Sequence, residues 1–239
     1  SFNLKKTCYT PLVTGLSAHA WTPFIKPCKP SDGACILASS RAAIPHFAKG
    51  SQNLGIKSVD PMHFKEIKSD HAGLKLLFKD STITGLKDCD LETSQLDTSK
   101  MKLTIHIKCN TVMTGDYKLD GKLLVLPVQG EGKYSINIRD IVIKIVVDLA
   151  TVDGGDGKPH WHITKFKHNF KVLTGTTFDF KNLFNGNQVL AQPVLDFANT
   201  NWKEVMEEIS PSVIEVVVKE VFKSVEALFK AVPIEELVS

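Results

Sequence analysis

Apolar and polar residues alternate through the middle of the chain, which is typical of a β-strand with one buried and one exposed face. The alternation is clearest over 101–109, where lysine, threonine and histidine separate the apolar residues Met101, Leu103, Ile105, Ile107 and Cys109. A second strand is predicted over 119–128, interrupted by Gly121 and ended by Pro127. Both segments indicate a sheet that covers a core on one side only.

The longest alternation, over 133–149, changes phase in its middle. Apolar residues first occupy even positions, as at Tyr134 and Ile138, and then odd positions from Ile141 onward. Because a shift by one residue turns every later side chain to the other face, this change predicts a β-bulge near Arg139 and Asp140. A turn is predicted at 153–157. In the strand after it, one parity, and so one face, is shared by His162, Phe166, His168, Phe170 and Val172. Strands of about 9–17 residues exceed the usual ~5–6, which predicts a strongly curved sheet.

Two segments instead show the 3.6-residue period of an α-helix. Over 211–230, apolar residues recur at helical spacing, and Ser210–Pro211 is a typical helix start. A shorter helix is predicted over 35–49, with Pro45 causing a kink or an early end. The expected fold is α+β: a long, strongly curved antiparallel β-sheet wrapped around a long C-terminal helix, with a shorter N-terminal helix. We expect an irregular N-terminal extension over 1–22 and a single domain over 23–239.

Composition and charge narrow the classes of function. The 239 residues contain 29 Lys and Arg against 26 Asp and Glu, a balance that gives no indication of nucleic-acid binding. No apolar run approaches the ~18 residues of a membrane-spanning helix. The first residues lack the apolar segment of a signal peptide, so the chain is interpreted as either cytosolic or exported with its signal removed. The charge is uneven, since 203–239 carry −4 and 1–202 carry +7.

Two pairs of the five cysteines have spacings compatible with disulfides. Cys28 and Cys35 flank a turn-rich loop, and such a loop can bring two Cα atoms within the ~4.4–6.8 Å that a disulfide requires. Cys89 and Cys109 lie opposite each other if a hairpin turns at Ser99. Cys8 is then left over, either free or available to link two chains. The alternative is five reduced core cysteines, but two sensible pairs favour secretion.

Motifs of catalysis and metal binding are missing from the sequence. The chain has no Gly-x-Ser-x-Gly elbow, Walker A sequence or His-Glu-x-x-His motif, so we expect neither enzyme activity nor a cofactor. His160 and His162 offer two imidazoles without a third ligand at suitable spacing, so no metal site is expected. The acidic residues of 153–157 lack the pattern of a calcium-binding loop and are interpreted as a turn.

Four groups of residues, in order along the chain, carry a resemblance to a known family. The run 115–132 resembles the strand signature G-x-Y-x-x-x-G-x-L-x-x-x-P-x-x-G-x-G of insect Takeout and juvenile-hormone-binding proteins, and 182–186 with the later Asn-x-Asn-Trp and proline resembles that family's LFNG segment. The Cys28–Cys35 pair with its following helix, and the Asp-Pro element at 59–61, fall at the family's positions. The matching residues include Gly115, Tyr117, Gly121, Leu124, Pro127, Gly130, Gly132, Asn199, Asn201, Trp202 and Pro211.

Membership of this family would imply a secreted carrier, found in haemolymph or a similar fluid, that holds a small hydrophobic ligand in an internal tunnel. A terpenoid such as juvenile hormone, a fatty acid or a quinone-like lipid would be the expected class of ligand. The second disulfide expected of the hormone-binding members lies in the later half of the chain, and this sequence has no cysteine after Cys109. The resemblance is therefore to the broader Takeout-like group.

The C-terminal helical stripe and the signature strands provide the candidate ligand contacts. Apolar side chains on one helix face either line a cavity or pack as ordinary core. The hydroxyls of Tyr117 and Tyr134 bond either to a ligand or to a backbone carbonyl. Trp202 is expected chiefly to anchor the start of the helix. The remaining tunnel-lining candidates are Phe47, Met113, Ile138, Val218, Phe222, Val225 and Phe229.

Two alternatives to a tunnel carrier come from other functional classes. A protein that binds a membrane or lipopolysaccharide surface would use the positive charge of residues 1–202. An interaction or storage protein would have the same elements with its interior packed shut. We expect a monomer, with a dimer through Cys8 left open, and membrane contact is not required for the carrier function.

Overall fold

The computed structural model describes residues 23–239, in which one antiparallel sheet curves around helices. The order of the elements agrees with the periodicity of the sequence: an early helix, a run of strands and a late helical segment. The strands are β1 (Met62–His71), β2 (Leu74–Thr84), β3 (Asp90–Asp97), β4 (Lys102–Leu123), β5 (Leu126–Asp153) and β6 (Pro159–Phe180). The helices are α1 (Gly33–Lys49), α2 (Gln188–Thr200), α3 (Trp202–Ala231) and α4 (Ile234–Leu237). This architecture confirms the expected α+β fold class.

Strands β4, β5 and β6 form the body of the sheet. The order of strands in the sheet is β1-β2-β4-β5-β6. Strand β3 pairs with the first half of β4, and β2 pairs with its second half. Strand β5 has 28 residues, so a straight strand would span about 90 Å at ~3.3 Å per residue. A strand of that length has to bend to cover a core, and bulges supply the bends.

The bulge predicted near Arg139 and Asp140 is confirmed. The pairing of β5 with β6 shifts between Arg139 and Ile141, and the pairing of β4 with β5 shifts at the same level. Asp140 has a φ of 53°, and its backbone N–H donates to the side-chain oxygen of Asn110 at 2.8 Å. The side chain of Asn110 therefore satisfies a donor that the bulge removes from the ladder.

The prediction of a single strand over 119–128 is wrong, because this segment contains a hairpin turn. Strand β4 continues to Leu123, which pairs with Leu126, and Leu124 with Val125 forms the turn. Neither residue favours a turn by itself, and Leu124 has a φ of 55°. The turn is held by a tertiary contact, in which the backbone N–H of Leu124 donates to the Glu208 carboxylate of α3 at 3.2 Å.

The long C-terminal helix begins at Trp202, so the start predicted at Ser210–Pro211 is wrong. Ser210 is buried and its hydroxyl lies 3.2 Å from the sulfur of Met206, where it does not cap a helix. Pro211 removes one hydrogen bond from the carbonyl of Glu207, and both residues lie on the exposed side of the helix. Water can reach that carbonyl, so the helix continues through the proline for 30 residues, about 45 Å.

The two remaining long helices pack against the sheet. Helix α1 begins after Asp32, whose side chain accepts from the N–H of Cys35, and it continues past Pro45 to end at Gly50. Helix α2, which the periodicity did not predict, begins after Asn187, whose side chain accepts from two backbone N–H groups. Within residues 23–239, no helix combines the length and apolar character needed to cross a membrane.

Candidate functional site

A cavity of about 320 Å³ lies between α1, the concave face of the sheet and the second half of α3. This volume is at the lower end of the ~300–1,000 Å³ typical of small-molecule sites. Most of its wall is apolar. The main wall residues are Ile36, Ala43, Ile44, Phe47, Leu91, Leu103, Ile105, Ile107, Ile143, Ile145, Trp161, Val217, Val218, Val221, Phe222, Val225, Leu228 and Phe229.

The sheet side of this cavity follows directly from the alternation in β4 and β5. Ile105 pairs with Ile145, and Ile107 pairs with Ile143, so two cross-strand isoleucine pairs face inward. Their polar neighbours in sequence point to the convex face. Lining residues therefore coincide with the positions that the period of two assigned to the buried side.

The helix side follows from the 3.6-residue period of α3. Val218, Phe222, Val225 and Phe229 recur at spacings of four, three and four residues, so they share one face of the helix. The Phe222 ring packs edge-on against Phe166 of β6, with centroids 5.0 Å apart. These four candidates and Phe47 all lie on the cavity wall.

The C-terminus and Cys28 line one end of the cavity. Leu237 and Val238 contribute to the wall, and the N–H of Cys28 donates to the carbonyl of Leu237 at 3.3 Å. The N–H of Ser239 in turn donates to the carbonyl of Cys28 at 3.1 Å. A disulfide loop thus fastens the last residues over the cavity.

The Cys89–Cys109 disulfide forms part of the cavity wall, and the predicted pairing is confirmed. The hairpin that carries it does not turn at Ser99 alone. Near the turn, Asp97 pairs with Lys102, a register that would place Cys89 opposite Asn110. A shift between Leu91 and Thr93 restores the pairing of Asp90 with Lys108 and so brings the two cysteines together. The fifth cysteine, Cys8, lies outside the described residues.

Three serines provide most of the polar side of this otherwise apolar cavity, and neither a motif nor a periodicity predicted them. The hydroxyls of Ser40 and Ser94 lie 3.1 Å apart, joining α1 to β3. The hydroxyl of Ser39 accepts from the backbone N–H of Lys26 at 3.1 Å. A hydroxyl has capacity for more than one hydrogen bond, so this cluster can also bond to a carbonyl or hydroxyl of a ligand.

The two candidate tyrosines lie away from the cavity, in an aromatic cluster with Phe78 and Phe180. The Tyr117 hydroxyl donates to the carbonyl of Lys181 at 2.6 Å, and the Tyr134 hydroxyl donates to Ser81 at 2.7 Å. Burial raises the pKa of each tyrosine to about 12. Both hydroxyls therefore have protein partners: a backbone carbonyl for Tyr117, as the alternative interpretation expected, and a serine hydroxyl for Tyr134, which neither interpretation expected.

Met113, Ile138 and Trp202 also lie outside the cavity wall. Met113 is buried in the core between the cavity and a second, wholly apolar void of about 40 Å³ near α2. The two voids share no lining residue, because β4 contributes 103–109 to the cavity and 119–123 to the second void. Trp202 is the first residue of α3, which agrees with an anchoring position at the helix start.

Strand β6 departs from the predicted face only before Thr164, because Phe166, His168, Phe170 and Val172 pair with inward residues of β5 as expected. A shift in pairing between Asp148 and Leu149 changes the phase, so Trp161 rather than His162 faces the cavity. His162 is 47% exposed and bonds to the Glu226 carboxylate at 2.6 Å. Within residues 23–239, no group of three or more His, Cys, Asp or Glu residues could hold a metal ion.

His160 joins the β5–β6 turn to the C-terminal end of α3. Residue 233 is proline and has no N–H to offer the carbonyl of Phe229, so that carbonyl accepts instead from the His160 ring at 2.6 Å. The other ring nitrogen lies 3.1 Å from the Asp156 carboxylate. Burial alone would lower the pKa of His160, but the bonds to these two acceptors outweigh it and raise the pKa above its ordinary 6.5.

This geometry predicts that His160 stabilises the fold most strongly in acid. A raised pKa in the folded state means that the contribution is complete below pH ~6.5 and is lost as pH rises through the folded-state value. We expect His160→Gln to lower the free energy of unfolding by about 1–2 kcal/mol at pH 5 and by less at pH 9. Chemical denaturation of both proteins across this range measures the difference. Asp156→Asn should flatten the same pH dependence, and an unchanged dependence in that variant would contradict the assignment.

Comparison with known proteins places this geometry in context. The chain matches the family model of haemolymph juvenile hormone binding proteins over residues 8–239. It is 26% identical to the circadian clock-controlled protein daywake of Drosophila melanogaster over 89% of this chain and 86% of the relative. It is 22% identical to a putative beta-carotene-binding protein of Schistocerca gregaria, covering 74% of this chain and 72% of the relative.

A solved structure shares the fold over nearly its full length. The crystal structure of Takeout 1 from Epiphyas postvittana superposes with a TM-score of 0.86 at 29% identity, covering 90% of this chain and all of that one. The family match begins at Cys8, inside the segment 1–22 for which we predicted an irregular extension. The boundary at residue 23 stays a prediction.

Proposed function

Because this chain belongs to the haemolymph juvenile hormone binding protein family, in the group that includes Takeout proteins, we propose that it carries a small hydrophobic ligand in the cavity between α1, β4, β5 and α3. The observation that carries the proposal is the cavity itself, about 320 Å³ with an almost wholly apolar wall. An interaction or storage protein has no need of such a void. The locust relative's name, which describes putative carotene binding, adds support for a lipophilic ligand.

The energetics of burial are sufficient for useful affinity. A C15–C20 lipid that buries roughly 400 Å² of apolar surface gains on the order of 10 kcal/mol at ~25 cal/mol per Å². Part of this gain is lost to the entropy of association, and micromolar binding requires about 8 kcal/mol. The cavity therefore favours a compact terpenoid, a fatty acid or the head of a quinone-like lipid, oriented by the Ser40–Ser94 hydroxyls.

Secretion into haemolymph or a similar fluid is part of the same proposal. The two disulfides support it, since such bonds persist chiefly in oxidising compartments. We also propose that the protein binds its ligand without catalysis and acts as a monomer. The ligand enters at the end of the cavity that Leu237 and Val238 line.

Displacement of a fluorescent probe tests the carrier function. Delipidated protein should bind an environment-sensitive apolar fluorophore, and terpenoids, fatty acids or quinones of suitable length should displace it. Mass spectrometry of an organic extract from freshly purified protein should detect a bound lipid. A protein that binds no fluorophore after delipidation, and yields no lipid on extraction, would contradict the proposal.

A further inference from the structure

The convex face of the sheet carries a dense group of lysines, which we call the lysine face. In β4 and β5, the residues that alternate with the cavity-lining isoleucines point to this side, and the residues of β6 that pair with them continue the same face. The pairing places Lys108, Val142 and Lys171 in one row across the strands, and Lys102, Asp148 and Lys165 in another. The six members of the lysine face are Lys102, Lys108, Lys144, Lys165, Lys167 and Lys171.

The lysine face is compact and largely unneutralised. Three strands and four rows cover about 10 by 20 Å at the usual strand spacings. Asp148 contacts Lys102, and Glu92 of β3 lies 3.5 Å from Lys108. Among residues 23–239, no carboxylate lies within ion-pair distance of the other four lysines, which are all exposed: Lys144, Lys165, Lys167 and Lys171.

Negative charge lies on the opposite side of the molecule. Residues 203–239, which include α3 and α4 on the concave side of the sheet, contain four lysines and eight glutamates. Residues 1–22 contain two lysines and no acidic residue, so the net +3 of the chain leaves +5 for residues 23–202. The six lysines of the lysine face and Asp148 together carry +5, which equals the net charge of residues 23–202. The charge separation would orient the convex face toward any anionic surface.

We propose that the lysine face docks the protein on the surface of an anionic lipid bilayer. Clusters of four to eight basic residues are typical of sites for anionic lipids. Protein interfaces are instead depleted in lysine and depend on tryptophan, tyrosine and arginine, none of which occurs in the four rows. Mobile headgroups match flexible ammonium groups without requiring one fixed geometry. This surface lies outside the cavity, so the proposal does not rest on the proposed ligand function.

Vesicle flotation tests the docking. The wild-type protein should bind phosphatidylcholine vesicles that contain about 30% phosphatidylserine, and should not bind pure phosphatidylcholine. Raising the salt from about 50 to about 500 mM should release it, because exposed charges are screened. A triple reversal of Lys144, Lys167 and Lys171 to glutamate should lower the partition coefficient about a hundredfold.

A matched control separates the lysine face from net charge. Lys65→Glu, Lys75→Glu and Lys122→Glu together change the net charge by the same amount on exposed positions outside the lysine face. This control should keep binding within about threefold of wild type. Equal loss in both variants, equal binding to neutral vesicles, or binding to duplex DNA or an acidic protein without vesicle binding would each overturn the proposal. Retained fluorophore binding by both variants shows that they are folded and keeps this outcome distinct from the carrier test.

Discussion

Replacing Ala43 by phenylalanine should weaken ligand binding by roughly fiftyfold while the protein stays folded. Ala43 lies on the cavity side of α1, so a phenyl ring there occupies space that a ligand would use. A ligand that loses about 100 Å² of apolar contact loses about 2.5 kcal/mol at ~25 cal/mol per Å². Fluorophore titration of the delipidated variant measures this loss, and thermal denaturation should show unchanged or slightly increased stability, because the ring fills a void.

The neighbouring residue provides a matched control for this variant. Ala42 precedes Ala43 on the same helix, but it is exposed and does not line the cavity. Ala42→Phe introduces the same ring with the same small loss of helix propensity. It should bind the fluorophore as the wild type does. Equal affinities of the two variants would show that the ligand does not occupy this cavity.

Removing the Cys89–Cys109 disulfide should have the largest effect on stability. The bond closes a separation of 20 residues, and closure of such a loop in the unfolded chain is worth about 3 kcal/mol. Cys89→Ser with Cys109→Ser should therefore lower the free energy of unfolding by about that amount, as measured by urea denaturation. Both cysteines are buried, so the serine hydroxyls add a desolvation cost in the same direction.

The second disulfide gives the comparison for this prediction. Cys28 and Cys35 are separated by only 7 residues, so the double serine variant at these positions should lose roughly 2 kcal/mol. Because the loop holds Leu237 through the Cys28 N–H, this variant should also exchange ligand faster. A larger loss of stability from the short loop than from the long one would contradict an origin in chain entropy.

Local signals were sufficient where neighbouring residues alone decide the structure. The change of phase between Ile138 and Ile141 predicted the bulge, because side chains in a strand alternate strictly and a buried face tolerates no slip. The stripe through Val218 and Phe222 predicted the helix face that lines the cavity, for the equivalent reason at a period of 3.6. Val225 and Phe229 lie on the cavity wall for the same reason as Val218 and Phe222.

Local sequence patterns predicted the structure wrongly where a distant contact compensates for an unfavourable local sequence. By local rules Pro211 is an ordinary helix start, yet it lies in the middle of α3. The carbonyl of Glu207, which loses its hydrogen bond to the proline, lies on the exposed side of the helix. The buried stripe also continues before the proline, through Val205, Met206 and Ile209. The turn at Leu124 depends on Glu208 of α3. The hydroxyl of Tyr134 suggests a ligand contact, but Ser81, 53 residues earlier in the chain, accepts its hydrogen bond.

The order of apolar and polar residues by itself determined that this chain forms long curved strands and a long C-terminal helix, because each element must hide one face from water whatever its partners are. Only the tertiary structure decided where empty space remains. A void and a packed core have walls of the same composition, and which of them forms depends on how far α1 and α3 stand from the sheet. That distance is fixed by the summed shapes of side chains brought together from across the chain, which no local pattern records.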